Sequence, residues 1–446
     1  MSKRISRMLG SAAIAVLVGA CTGGGATTAP SAAASPDAGA SATAAATPAG
    51  EPVALRFQSL AWQEPVIAAN KAIVDEWNAA NPNIQVEYVQ GDWGSVHDQL
   101  VTQFQSGTAP DLIHYESAGI AGFSNQGFLA DLKPLLAEEF KSGIAPGVWE
   151  AVTYKDDGWY GAPFLLQSYV VFANGGLLAA AGVEPPTIED PWTWDDLRTA
   201  AKQLTTGDQF GMGWPLKSPT ASMMSLSLSF DGGFFYDEGG ETVVKFGPAE
   251  QEVPRRINEM IYTDKSIDPN SIGLSGGDIL PGFFGGTYAM IGGANFQTQQ
   301  MLEQAPEGFE WLMLPPLMGT SQAQAANPQT ISISAASEHP AEAAQFIEFF
   351  INGENLAKLA MGDFLIPTTE EAGAAVLATT GGKDGWDVTI ASGKGLKLAP
   401  FQKVESYPQW KDQVATPAFQ EFLANSIDLD TLGTKLVDGW TQVGGG

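Results

Sequence analysis

Few side chains in this sequence of 446 residues suit covalent or metal chemistry. A single cysteine, Cys21, excludes an internal disulfide and any thiolate metal site. The three histidines, His97, His114 and His339, share no spacing that would gather them around a catalytic metal. Gly273-Leu274-Ser275-Gly276-Gly277 fits the G-x-S-x-G nucleophile pattern. That pattern needs a strand before it and a helix after it. Here Pro269 and Pro281 bracket a glycine-rich stretch, so a plain turn is expected. Asp92 and Glu116 are the pair that could face each other across a glycosidic bond. The doublets Glu138-Glu139, Asp156-Asp157 and Glu370-Glu371 read as solvated faces. What the chain has in quantity is 12 tryptophans, with acids and amides beside several of them. Indole rings offer platforms to flat C–H faces, and carboxylates and amides bond to hydroxyls. What composition leaves is an acidic protein that works with carboxylates, amides and aromatics.

These residues need elements to aim them. Val53–Ser59 is a short β-prone run, and Pro65–Asn78 carries a helical stripe of Val66, Ile73, Val74 and Trp77 that Asn81-Pro82 stops. Ile84–Tyr88 alternates as a half-buried strand does. Val96, Leu100 and Phe104 mark a second helix ended by Gly107, and Asp111–Tyr115 is the third strand. The order β-α-β-α-β opens a doubly wound α/β lobe, whose ligands sit at the carboxyl ends of the strands. Those ends carry Trp62 and Gln63, then Asp92 and Trp93, then Tyr115, Glu116 and Ser117. A second block, from about Pro163 to Ile279, includes a strand at Ser168–Phe172 and a helix start at Thr193, with Asp196 placed to answer it. Trp214 ends a strand-like run in this block, and Asp231 begins a turn. Thr287–Ile291 and Thr330–Ser334 read as further strands, and the chain beyond Pro340 is mainly helical. Trp77, Trp149, Trp194 and Trp440 are expected in cores.

The amino terminus reads as an address. Lys3, Arg4 and Arg7 precede an apolar stretch, Met8–Ala20, too short to span a bilayer. It ends in Leu17-Val18-Gly19-Ala20-Cys21, which resembles a bacterial lipobox with Cys21 as the lipidated first residue of the mature protein. Residues 1–20 are thus expected as a lipoprotein signal and 21–52 as a tether. All of Thr22–Gly50 except Asp37 is Gly, Ala, Ser, Thr or Pro, a composition with nothing to offset the entropy of ordering. Such a tether would reach on the order of 30 Å. With 22 basic and 50 acidic residues the net charge is −28, which opposes binding to nucleic acid.

Five stretches together resemble the extracellular solute-binding proteins of bacterial ABC importers, in the family that includes maltose-binding proteins. They are Ile73–Tyr88, Ser106–Leu132, Tyr160–Asn174 with Trp192–Leu204, Phe284–Gly292, and Ile331–Phe350. The resemblance implies a two-lobed periplasmic-binding-protein-like α/β fold with crossing hinge strands. A solute binds in the cleft, the lobes close, and the closed form docks on a membrane permease. It also implies no cofactor and no metal. Lobe 1 is expected from 53–162 with about 282–325, and lobe 2 from about 163–281 with 326–446.

The same resemblance adds candidate ligand residues. Gln167 stands in the crossing strand where sugar-binding relatives have an acid or amide. Asn295 and Phe296 stand where many relatives have a tryptophan, and Tyr407 and Trp410 match a region that supplies a late aromatic. The strand-end loops hold acids and amides and almost no Lys or Arg, so a neutral mono- or oligosaccharide is expected before an anionic ligand. A peptide or polyamine receptor, and less readily a secreted glycosidase, stand as alternatives. The expected partners are the sugar, an ABC permease and, through Cys21, the membrane, with the protein itself a monomer.

Overall fold

The computed structural model describes residues 52–444. The expected signal segment, Cys21 and nearly all of the expected tether lie outside the described residues. Fourteen strands are named here in chain order: β1 (Val53–Ser59), β2 (Ile84–Gln90), β3 (Leu112–Glu116), β4 (Ala162–Leu166), β5 (Tyr169–Asn174), β6 (Phe210–Gly213), β7 (Phe235–Glu238), β8 (Glu241–Val244), β9 (Tyr288–Ala294), β10 (Trp311–Leu314), β11 (Gln324–Ala325), β12 (Gln329–Ile333), β13 (Ile366–Pro367) and β14 (Leu396–Lys397).

The opening β-α-β-α-β unit forms as its periodicity predicts. Helix α1 (Glu64–Ala80) has a proline in its first turn and buries Val66, Asn70, Ile73, Val74 and Trp77, one stripe at helical spacing. Helix α2 (Val96–Ser106) buries Val96, Leu100 and Phe104 and ends at Gly107, which adopts the left-handed φ of 68°. Strand β1 runs parallel to β2 and β3. The full first sheet has the order β13-β4-β12-β3-β1-β2, with β12 antiparallel between β3 and β4. Its core is aromatic: Phe57 of β1 meets Phe346 and Phe350 of the helix Pro340–Phe350 at ring distances of 5.7 and 5.1 Å.

The second sheet has the order β10-β5-β9-β6. Helix Trp194–Leu204 packs beside it, opened by the expected reciprocal cap between Thr193 and Asp196. Its approach to the sheet explains Gly211. A Cβ there would lie 1.8 Å from the carbonyl oxygen of Ala201, so only glycine lets helix and strand come so close.

The two-lobed α/β fold is as expected, but the division of the later chain between lobes is not. The segment 282–325 was expected in lobe 1, yet β9 is central in the second sheet and β10 forms its edge. Residues 326–446 were expected in lobe 2. Instead β12 and β13 return to the first sheet, and the chain from Pro400 onward goes back to the second core. Strand alternation shows which face a strand buries, but not which sheet it joins. The chain therefore passes between lobes three times, at 166–169, 325–329 and 392–400.

Trp77, Trp149, Trp194 and Trp440 are buried, as expected. Trp410 is buried as well. Its ring lies edge to face with Phe235 at 5.0 Å, and its indole N–H donates to the Leu436 carbonyl at 3.0 Å. Trp410→Ala should therefore lower the unfolding free energy by about 3–5 kcal/mol, measured by urea titration. A loss below about 1 kcal/mol would place this ring outside the core.

Candidate functional site

The carboxyl ends of β1, β2 and β3 face the second lobe, and the loops after them build one wall of a cleft. The first of these loops is held rigidly. The Leu60 N–H donates to His114 Nδ1 at 2.9 Å, and Gln90 Nε2 donates to the Ala61 carbonyl at 2.6 Å. This presents Trp62 to the cleft with 44% of its surface exposed, in a chain that buries most of its tryptophans. Trp93, in the second loop, is half-buried, edge-on to His114 at 5.5 Å. Glu116 ends β3, where Asn327 Nδ2 donates to its Oε2 at 2.8 Å.

Trp62, Trp93, Glu116, Gln167, Asn327, Gln329 and Asp363 line a chamber of about 240 Å³, which Leu165, Leu365 and Phe296 complete. Phe296 comes from the second lobe and meets Trp62 edge-on at 5.9 Å. A second chamber of about 170 Å³ adjoins the first and shares Gln167 and Phe296 with it. Its walls include Tyr169, Trp214, Ser218, Ser222 and Gln297. Trp214 lies flat against Trp194, ring centres 5.8 Å apart, and passes so near Gly292 that a Cβ there would come within 2.6 Å of the indole.

Of the residues expected at the site, Trp62, Trp93, Glu116, Gln167, Trp214 and Phe296 are brought together here. The others have different places. Asp92 turns its carboxylate onto its own loop, accepting from the Gly94 N–H at 3.0 Å and the Ser95 hydroxyl at 3.3 Å. It does not line the chamber with Glu116. Gln63 lies behind Trp62 and donates to Asp363 Oδ1 at 2.6 Å. Tyr115 is buried beside Trp93 and His97, and Ser117 is fully buried with its hydroxyl on Asn327 at 2.8 Å. Asn295 is fully buried in the hinge, accepting from the Ser168 N–H through Oδ1 at 3.0 Å. Asp231 lies on an exposed turn with φ of 65°, bonded by the Thr320 hydroxyl. Tyr407 stacks on Phe401 at 4.7 Å inside the second core, with Trp410. Both aromatics belong to packing because the short helix Tyr407–Trp410 turns both into the core. Ser275 bonds Asp278 in an exposed turn, without the strand and helix of a nucleophile elbow.

Sequence reasoning missed Asn327, Gln329 and Asp363. Asn327 sits on the second crossing, where its Oδ1 also accepts from the Ser117 hydroxyl and the Ala118 N–H. Because His114 Nδ1 accepts from Leu60, its Nε2 carries the proton and donates to Gln329 Oε1 at 2.8 Å. Burial pushes His114 down to about 4, against the hydrogen bond to Gln329. Asp363 ends the helix Gly353–Asp363 and is buried, so its carboxyl is pushed up to about 7, against the hydrogen bonds of Gln63 and Gln329. The one local signal for Asp363 was its place at a helix end, which says nothing about a cleft. No group of three or more His, Cys, Asp or Glu placed to hold a metal occurs among the described residues.

Comparison with known proteins gives concordant results. Residues 61–356 match the family model described as bacterial extracellular solute-binding protein. A Streptomyces antibioticus protein, named as an uncharacterized lipoprotein in the oleD 5' region, is 43% identical over 385 residues, covering 86% of this chain and 85% of its own. The ABC substrate-binding protein Lmo0181 from Listeria monocytogenes, solved in complex with cycloalternan, superposes with a TM-score of 0.74 at 22% identity, over 88% of this chain and 100% of that one. The sugar-binding protein MalE from Xanthomonas citri gives 0.73 at 18% identity, over 88% and 97%. At these identities the two solved structures establish a shared fold.

The two shifted groups have opposite effects on stability. Asp363 holds its proton more tightly folded than unfolded, so its contribution is present at low pH and lost as pH rises from the ordinary carboxylate range through about 7. The loss reaches about 1.4 kcal/mol per pH unit. His114 stays neutral in the fold, so its contribution is present above its ordinary value and lost as pH falls toward about 4. Urea unfolding of Asp363→Asn and the parent protein should show the variant gaining relative stability from pH 4.5 to 7. A difference that stays flat across that window would place Asp363 at an ordinary carboxylate value.

Proposed function

The chain belongs to the bacterial extracellular solute-binding proteins, and we propose that it captures a mono- or oligosaccharide between its lobes and delivers it to an ABC-type permease. One observation carries this reading. The rings of Trp62, Trp93 and Phe296 and the amides of Gln167, Asn327 and Gln329 share one chamber between the lobes. Aromatic faces take the C–H surfaces of a sugar ring, and amides both donate to and accept from its hydroxyls. Relatives of the same fold are described as a sugar-binding protein and as a complex with cycloalternan.

Capture would be a closing motion about the three crossings, with the guest desolvated between the walls as the lobes approach. The solute leaves unaltered, because the receptor's task is affinity and release. We place the protein outside the cytoplasm as a monomer, held to the membrane by a lipid on Cys21. Support for that anchor is the Leu17–Cys21 pattern and the description of the Streptomyces relative as a lipoprotein.

A thermal-shift screen against saccharides tests the ligand class. A true ligand at 100 times its Kd adds about 2.7 kcal/mol to stability, and Trp62→Ala should weaken its binding by about tenfold or more, about 1.4 kcal/mol. Stabilisation by peptides or polyamines and by no saccharide would remove the carbohydrate assignment. Release of reducing ends during incubation would mark a hydrolase instead. For the anchor, Cys21→Ser should move the protein from the membrane fraction to the soluble one, and continued sedimentation with membranes counts against lipidation at that residue.

A further inference from the structure

We propose that the solute carries a protonated amine, so that the receptor selects an amino sugar over its neutral counterpart. This deepens the carbohydrate reading and rests on it. The starting point is an imbalance of charge in the cleft. Glu116 and Asp363 both line the same chamber of about 240 Å³. Among the described residues no Lys, Arg or His lines either chamber. The nearest imidazole, His114, has both ring nitrogens engaged, one by the Leu60 N–H and one by Gln329. Lys217, two residues after the lobe 2 wall residue Pro215, is not among the residues that line the second chamber.

Among the described residues these carboxylates have amide partners and no cation. Asn327 occupies Glu116 Oε2, and Gln63 occupies Asp363 Oδ1. Among the described salt bridges neither acid takes part. Asp363 is already buried, so lobe closure around a neutral guest would strip water from the half-buried Glu116 carboxylate, beside a second acid and without a compensating cation. Such desolvation is costly for an ion left without a partner of opposite charge. An ammonium group removes that penalty: it is cationic, it only donates, and its three N–H bonds suit the acceptor oxygens that the amides leave free. The indoles of Trp62 and Trp93 form part of the same wall, and a cation gains further from their ring faces. The upward displacement of Asp363 agrees, since it reports a buried carboxyl without a positive neighbour. A simple polyamine would use the acids and leave the amide of Gln167, which holds neither acid nor His114, without a hydroxyl to bond, which favours an amine borne on a hydroxylated ring.

The test uses the purified full-length chain and isothermal titration with three matched sets of probes. These are glucosamine, galactosamine and the 1,4-linked disaccharides of glucosamine; the same compounds N-acetylated; and the corresponding glucose and galactose compounds. Putrescine and spermidine complete the panel. The expected result is that at least one amine form binds about tenfold or more tightly than both its acetylated and its hydroxyl counterparts, a difference of about 1.4 kcal/mol. In Glu116→Gln and Asp363→Asn the ratio of amine to hydroxyl affinity should fall toward unity. Because the ratio is internal to each variant, a general loss of folded protein does not imitate it. Neutral or acetylated sugars binding as tightly as the amines, no amine binding at all, or an unchanged ratio in both variants would overturn the proposal. Any of these with a bound saccharide leaves carbohydrate capture standing. Binding of polyamines with no saccharide bound removes both.

Discussion

Most buried polar groups at the junction of the lobes find partners within the protein, and much of this structure follows from how they do so. Three strands of chain cross there, and each crossing brings peptide groups out of water. Asn295 and Ser168 bond in both directions, the Asn295 N–H donating to the Ser168 carbonyl and the Ser168 N–H to Asn295 Oδ1. Gln324 does the same for Tyr169, at 2.7 and 2.8 Å. Gln402 bonds the Ala326 carbonyl and the Ser117 hydroxyl, tying the third crossing to the second and to lobe 1. A buried amide left without such a partner costs more than a made bond returns, so these side chains fix where the crossings run. They thereby fix which strand ends face one another across the cleft.

The cleft follows a different rule from the junction. At the junction amides are consumed by the backbone. In the cleft, Trp62, Trp93 and Glu116 are held in place from behind and stay partly exposed, while Asp363 is buried. Trp62 is set by the bonds of Leu60 and Ala61, Glu116 by Asn327, and Asp363 by Gln63. These bonds are spent on orientation, and Asn327 supplies one while itself lining the chamber. The residues that hold the two acids are amides in both cases, which is why amide-rich loops alone do not reveal which amide faces a ligand.

Much of the fold was legible because helices and strands leave their period in a dozen residues or fewer. The stripe Val66, Ile73, Val74, Trp77 marked α1, and the alternation from Ile84 marked β2, both as found. The strand-end rule then located Trp62, Trp93 and Glu116 at the cleft. It overreached with Asp92 and Ser117, because being at a strand end does not say whether a side chain turns forward to the cleft or back onto its own loop. The resemblance-based choice of Tyr407 and Trp410 failed for a related reason: an aromatic in the right region is drawn to whichever core it can fill.

By itself, then, the sequence determined the element types, the opening doubly wound unit, the family and the three aromatic or acidic strand ends that reach the cleft. It did so because backbone preference and side-chain period act over short stretches of chain. The tertiary structure alone decided that β9 and β10 join the second sheet, that β12 returns to the first, and that Asp363 stands in one chamber with Glu116. Those outcomes depend on pairing and desolvation between residues hundreds of positions apart. No local pattern carries such contacts, because their energy exists only once the chain has brought both partners out of water together.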